Sequence, residues 1–116
     1  TLIVPVPLHS RRKRKRGFNQ AEIVAKVLSE STGIAMDAGA VKRIKATSPQ
    51  KELGDKGRKR NIRGAFAVQK NVKGENIVLI DDIYTTGSTL DEAARVLKKA
   101  GAENVYFLTV SIGQGI

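Results

Sequence analysis

Two adjacent acids, Asp81 and Asp82, close the apolar run Ile77-Val78-Leu79-Ile80, and after two spacer residues comes the cluster Thr85-Thr86-Gly87-Ser88-Thr89. Hydroxyl and backbone N–H donors of such a cluster can converge on one anion, and Gly87 lets the main chain approach it without a Cβ clash. A helix starting there adds unpaired N–H groups and a positive dipole end, which favour a phosphate. The acids make the opposite electrostatic demand, because a carboxylate beside a phosphate is repelled unless it faces hydroxyls or a cation. Vicinal sugar hydroxyls satisfy the first condition. Mg²⁺, held by a few carboxylates together with water and substrate phosphates, satisfies the second. The pattern therefore points to a sugar phosphate. A plainer reading takes the acids as a strand end and Thr89-Leu90-Asp91-Glu92 as a capping box, but capping alone leaves the acid pair and Thr85-Thr86 without a purpose.

These residues need a rigid frame. Four consecutive branched apolar residues before the acids suit a strand covered on both faces of a parallel sheet, here over residues 76 to 80. Leu2-Ile3-Val4-Pro5-Val6-Pro7 predicts a short strand that its prolines restrict to an edge or to the strand ends. Residues 41 to 44, 65 to 68 and 105 to 111 predict further strands, with a turn over 71 to 75. A helix is expected over about residues 18 to 31, capped at Asn19 with Glu22 three residues on, presenting Ile23, Val24, Val27 and Leu28 as one face and stopping near Gly33. A second is expected over about 88 to 100, burying Leu90, Ala93, Ala94, Val96 and Leu97 and ending at Gly101, with Lys98 and Lys99 opposite its negative end. Residues 45 to 63 carry few apolar side chains and include Gly54 and Gly57, which reads as a mobile loop.

At 116 residues the chain is expected to form a single domain with one core. It has no cysteine and one histidine, His9, so disulfides, a thiol nucleophile and thiolate or histidine-cluster zinc chemistry are excluded. Apolar runs fall short of a membrane span, and the basic block follows the first apolar segment, unlike a secretory signal; a soluble cytoplasmic protein without a membrane partner is expected. Position 1 is not methionine and the chain opens directly on an apolar strand, from which we expect an N-terminal region to be absent from this sequence. The net charge of +10 is uneven: of 21 basic residues, six lie in 11 to 16 and nine in 42 to 63. A polyanionic partner follows, either a bisphosphorylated sugar, single-stranded nucleic acid, or both. Phe18, Phe66, Phe107, Tyr84 and Tyr106 are too scattered for an evident base-stacking platform. No Walker A sequence and no G-x-G-x-x-G occur, and the position of the acids is wrong for a response-regulator receiver.

The segment Ile77 to Thr89 resembles the phosphoribosyl pyrophosphate (PRPP) motif of type I phosphoribosyltransferases: an apolar strand, two acids, two spacers and T-T-G-S-T. Pro5-Val6-Pro7-Leu8-His9-Ser10-Arg11-Arg12 with Arg16-Gly17-Phe18-Asn19-Gln20-Ala21 is similar to the first loop of the competence-associated, ComFC- or GntX-type branch. Thr47-Ser48-Pro49-Gln50-Lys51 and Arg58-Lys59-Arg60-Asn61-Ile62-Arg63-Gly64-Ala65-Phe66 resemble the same branch where the family carries a flexible loop. Taken without the resemblance, the basic runs read as solvated faces and His9 as a surface-loop imidazole.

The resemblance implies an α/β fold, a mostly parallel sheet flanked by helices with a flexible loop between antiparallel strands. It implies Mg²⁺-dependent transfer of a phosphoribosyl group from PRPP to an unidentified acceptor, with release of pyrophosphate. Asp81 and Asp82 would hold the ribose hydroxyls and, through water and substrate, Mg²⁺. Thr85, Thr86, Gly87, Ser88 and Thr89 would take the 5-phosphate, and Leu8, His9, Ser10, Arg11 and Arg12 the pyrophosphate. Lys51, Arg58, Lys59 and Arg60 would belong to the flexible loop. Members of this branch usually carry an N-terminal cysteine-rich zinc-binding segment, which this sequence lacks. The alternative is a non-catalytic competence factor for DNA uptake that binds PRPP and single-stranded DNA; a homodimer is compatible with either.

Overall fold

A computed structural model describes residues 1–7, 20–44, 62–82 and 87–110, with the backbone alone for 82, 87, 88 and 110. In chain order the elements are β1 (Leu2–Pro5), α1 (Gln20–Thr32), β2 (Ala35–Met36), β3 (Val41–Arg43), β4 (Phe66–Val68), β5 (Asn76–Asp82), α2 (Gly87–Lys99) and β6 (Asn104–Val110). Among the described residues β2-β1-β5-β6 form a parallel sheet, and β3 and β4 form a separate antiparallel pair. The expected α/β architecture is present, and β3 and β4 are the antiparallel strands on either side of residues 45–61. The mobile loop expected over residues 45–63 lies outside the described residues up to residue 61, but its end needs correction: Ile62 is buried in the core.

The branched run of β5 lies between β1 and β6, with Val4 opposite Leu79 and Leu79 opposite Phe107. Successive strand residues point to opposite faces, which divides the core in two. On one face Leu2, Val4, Ile77 and Leu79 pack with Leu90, Ala93 and Leu97 of α2 and with Val41 and Phe66 of the hairpin. On the other, Ile3 and Ile80 pack with Ala21 and Ala25 of α1. The strand order explains the division: β1 crosses to β2 on one side and β5 crosses to β6 on the other. Crossovers of the same right hand running in opposite directions put their helices on opposite faces.

Pro5 is accommodated inside the sheet because of where β2 stops. Ile3 accepts the Asp37 N–H through its carbonyl at 3.0 Å on the β2 side, while the Val6 N–H donates to the Ile80 carbonyl at 2.9 Å on the β5 side. Alternation directs position 5 toward β2, whose ladder reaches no further than Ile3, so the proline removes no sheet donor. Of the two placements expected for a proline-bearing strand, the strand end is the one observed.

Both helices end at glycine. Beyond α2, the Gly101 N–H donates to Lys98 and the Ala102 N–H to Leu97, at 3.0 and 3.1 Å, a Schellman closure with Gly101 at φ 104°. A Cβ there would stand 3.3 Å from Lys73 Cα, so the site requires glycine for its conformation and for its closeness to the neighbouring turn.

The expected apolar face of α1 needs correction. Val24 and Leu28 do pack inward, but Ile23 and Val27 are 49 % and 57 % exposed, and the fully buried positions are Ala21 and Ala25. Small side chains let the helix lie close over Ile3 and Ile80, and one turn of 100° per residue then carries Ile23 and Val27 off the contact.

Candidate functional site

β1 and β5 are adjacent and parallel, and their crossovers leave in opposite directions, so a crevice opens outside their carboxyl ends. This is the topological switch point at which open α/β sheets receive ligands. β5 brings Asp81 and Asp82 there, and the ladder to β6 continues through both, with Asp81 opposite Thr109 and Asp82 opposite Val110. The strand thus extends two residues beyond the expected stop, and the acids' backbone is held by sheet hydrogen bonding. Asp81 lies on the α2 face of the sheet, with Ile77 and Leu79, and is 4 % exposed.

α2 begins at Gly87, so Gly87, Ser88 and Thr89 form its first turn and present its N-terminal end beyond β5. Thr89 is 4 % exposed. Thr85 and Thr86, the pyrophosphate candidates Leu8, His9, Ser10, Arg11 and Arg12, and the loop candidates Lys51, Arg58, Lys59 and Arg60 lie outside the described residues.

Among the described residues there is no group of three or more His, Cys, Asp or Glu side chains able to cage a metal. The Asp81-Asp82 pair is a hard-oxygen donor set too small for a closed site. A Mg²⁺ ion held there would have to keep water and take further ligands from substrate phosphate.

The capping box of the plainer reading is not what Glu92 forms. α2 starts two residues before Thr89, and the Glu92 side chain, 6 % exposed, reaches across to the chain entering β4. Its Oε2 accepts the Gly64 N–H at 3.0 Å and the Arg95 Nη2–H at 2.7 Å, and its Oε1 accepts Arg95 Nε–H at 2.8 Å. Gly64 sits at φ 74°, in the left-handed region, between buried Ile62 and Ala65, where the Ala65 N–H donates to the Ile62 C=O at 3.0 Å and closes a turn. The two-point Arg95 bond holds the Glu92 carboxyl below its ordinary value of 4.5, against the opposing effect of burial; the Gly64 N–H and the positive field of Arg95 and Arg63 add to the lowering. Sequence reasoning gives Glu92 only a capping role and misses this contact. The available signal was its place beside the apolar stripe of α2, next to Thr89 and Val96 on the helical wheel.

The depressed value fixes the sign of a pH effect. Glu92 contributes stability that is fully present above its unfolded pKa and is lost as pH falls through the lower folded value. Thermal unfolding of the wild type and of Glu92→Gln from pH 7 to pH 3 should show the wild type ahead near neutrality and its advantage shrinking below about pH 4.5. A constant gap across that range would remove the carboxylate from the account.

The phosphoribosyl transferase domain family matches residues 14–112, and that span includes both strand ends of the acid-bearing β5 and all of α2. The chain belongs to this family. Among relatives of this phosphoribosyl transferase domain, DNA utilization protein YhgH of Salmonella typhi is 43 % identical over 103 residues, covering 89 % of this chain and 45 % of that protein. Competence protein F of Haemophilus influenzae is 42 % identical over 106 residues, 89 % of this chain and 46 % of its own length. Competence protein ComFC of Bacillus subtilis is 36 % identical over 111 residues, 94 % and 43 % respectively. These are members of the competence-associated branch. The chain spans a little under half the length of the curated relatives it matches. No solved structure matched. Among the described residues, no helix is long and apolar enough to cross a membrane.

Proposed function

We propose that this phosphoribosyl transferase domain binds PRPP with Mg²⁺ and transfers the phosphoribosyl group to an acceptor, releasing pyrophosphate. The observation that carries the reading is the coincidence of the β1/β5 switch point with the Asp81-Asp82 strand end and the first turn of α2. In this reading the carboxylates face the ribose hydroxyls and would hold Mg²⁺ together with water and substrate oxygens. The metal, when bound, offsets the phosphate charge. Thr85 to Thr89 take the 5-phosphate at the helix N-terminus, and residues 8–12 take the pyrophosphate. As the glycosidic C–O bond breaks, positive charge grows on the sugar ring and negative charge on the departing pyrophosphate. The protein's contribution is to hold the reactants in line and to set fixed donors and carboxylates where those charges develop. No protein nucleophile is required.

A second reading has its own support, since relatives matched over nearly all of this chain are named for competence and DNA utilization. In that reading the domain binds PRPP without turnover and its basic segments hold single-stranded DNA. One pair of assays separates the two. PRPP is incubated with Mg²⁺ and a panel of nucleobases and amines while pyrophosphate is measured, and oligonucleotide binding is titrated at rising salt. Acceptor-dependent pyrophosphate release is the expected result. Silence across the panel together with steeply salt-dependent single-strand binding favours the second reading and rejects the first.

A further inference from the structure

β6 is the outer strand of the parallel sheet: among the described residues no strand pairs with it on the side away from β5. One row of its main-chain N–H and C=O groups therefore faces outward, and these are strong hydrogen-bonding groups. The opposite edge of the sheet belongs to β2, which at two residues is too short to template another strand. β6 has seven residues, keeps an unbroken register with β5 from Asn104 to Val110, and contains neither proline nor a charged side chain. It thus has none of the features that blunt an edge: brevity, proline, lysine or a bulge. Its side chains point to the same kind of occupant. Tyr106, Phe107 and Leu108 are 56 %, 48 % and 41 % exposed, and because they are consecutive they alternate between the two faces of the sheet. A docked helix would cover one face and leave the other in water. A further strand in the plane of the sheet meets the outward main-chain groups and flanks the side chains on both faces at once.

We propose that the β6 edge is an interaction surface for a second copy of this chain, joined by antiparallel pairing of β6 with β6 across a two-fold axis, so that the two parallel sheets become continuous. Two properties of the strand favour a like copy. The first is charge. Each chain carries a net charge of +10, so two copies repel each other in most approaches, whereas residues 104–110 bring no like charges together. An acidic partner would find no cation on this strand. The second is self-complementarity. Antiparallel pairing centred on Phe107 engages all seven positions of both strands, sets Phe107 against its own counterpart, and sets Tyr106 against the second copy's Leu108 as an aromatic–aliphatic pair. The contact is isologous and closes at two copies. A single strand pair is a small interface, so the dimer dissociates on dilution.

The test uses the 116-residue chain. Sedimentation equilibrium is expected to give the 12.6 kDa monomer mass at about 1 µM and to approach twice that mass at about 200 µM. Leu108→Lys replaces an exposed side chain and sets a cation on each strand of the contact, and it is expected to weaken dimerisation about tenfold or more. Circular dichroism checks that the variant is folded, and the wild-type dilution series needs no variant. Phe107→Cys introduces a single thiol into a chain that has no other. Directly opposed Cα atoms of an antiparallel pair lie about 4.5–5.5 Å apart, within disulfide reach, so mild oxidation is expected to give a covalent dimer. Lys26→Cys, exposed on α1, is the control and should stay monomeric under the same treatment. A wild type that is monomeric throughout the series overturns the proposal, and slow hydrogen exchange of the outward β6 amides in that monomer would assign the edge to a segment of the same chain. A dimer that withstands Leu108→Lys unchanged, or that does not cross-link through Phe107→Cys, also overturns it, since the contact would then lie elsewhere.

Discussion

Asp81→Asn combined with Asp82→Asn is expected to abolish Mg²⁺-dependent PRPP binding, with calorimetric affinity falling by about 100-fold or more. The substitution keeps the shape of both side chains and removes their charge, so each loses a charge-assisted contact of about 1.5–3 kcal/mol, together with its attraction for the cation. The fold should tolerate the change, since the acids' backbone is held by the ladder to β6 over Asp81–Thr109 and Asp82–Val110. Far-UV circular dichroism and the urea midpoint provide the control. Undiminished affinity in a folded double variant would detach the acids from ligand binding. Retained binding that no longer responds to Mg²⁺ would confine their role to the cation.

Leu79→Ala should be the most destabilising single truncation in the sheet. Leu79 is 0 % exposed, has Val4 and Phe107 as its register neighbours, and belongs to the core cluster that includes Leu90 and Leu97 of α2. Loss of its buried methyl groups and the cavity left behind cost about 2–5 kcal/mol, a large share of the roughly 5–15 kcal/mol that holds a domain of this kind together. Phe107→Ala, the next register position but 48 % exposed, is the internal comparison. It should shift the urea midpoint far less, and equal shifts would contradict the placement of β5 at the centre of the sheet.

Legibility in the sequence followed the range of the interaction concerned. Ile77 to Ile80 announced β5 because four branched residues in a row satisfy burial on two faces without reference to the rest of the chain. The α2 stripe was equally plain, since Leu90, Ala93 and Leu97 recur at helical spacing. β2 was invisible: Ala35 and Met36 pair with Leu2 and Ile3 across more than thirty positions, and two residues cannot display a period. The α1 face was misjudged because apolarity was weighted above size, whereas the approach to Ile3 and Ile80 is made by Ala21 and Ala25. At the site, the acids and hydroxyls were readable as chemistry because they are contiguous. Glu92 was not, because its decisive partner is a main-chain amide at Gly64 that no local pattern indicates.

The pairing of β1 with β5 has a consequence for how the molecule assembles. Leu2 lies against Ile77 and Pro5 against Ile80, so the crevice joins stretches about seventy-five positions apart, whereas β5, α2 and β6 form a continuous local unit. Closing a long loop must be offset by contacts that form only afterwards, which slows such pairings. β5-α2-β6 is therefore expected to assemble early, and the β1/β5 switch point to be completed only when β1 docks. Binding at that switch point, as proposed above, would then report completed folding more stringently than helix content does.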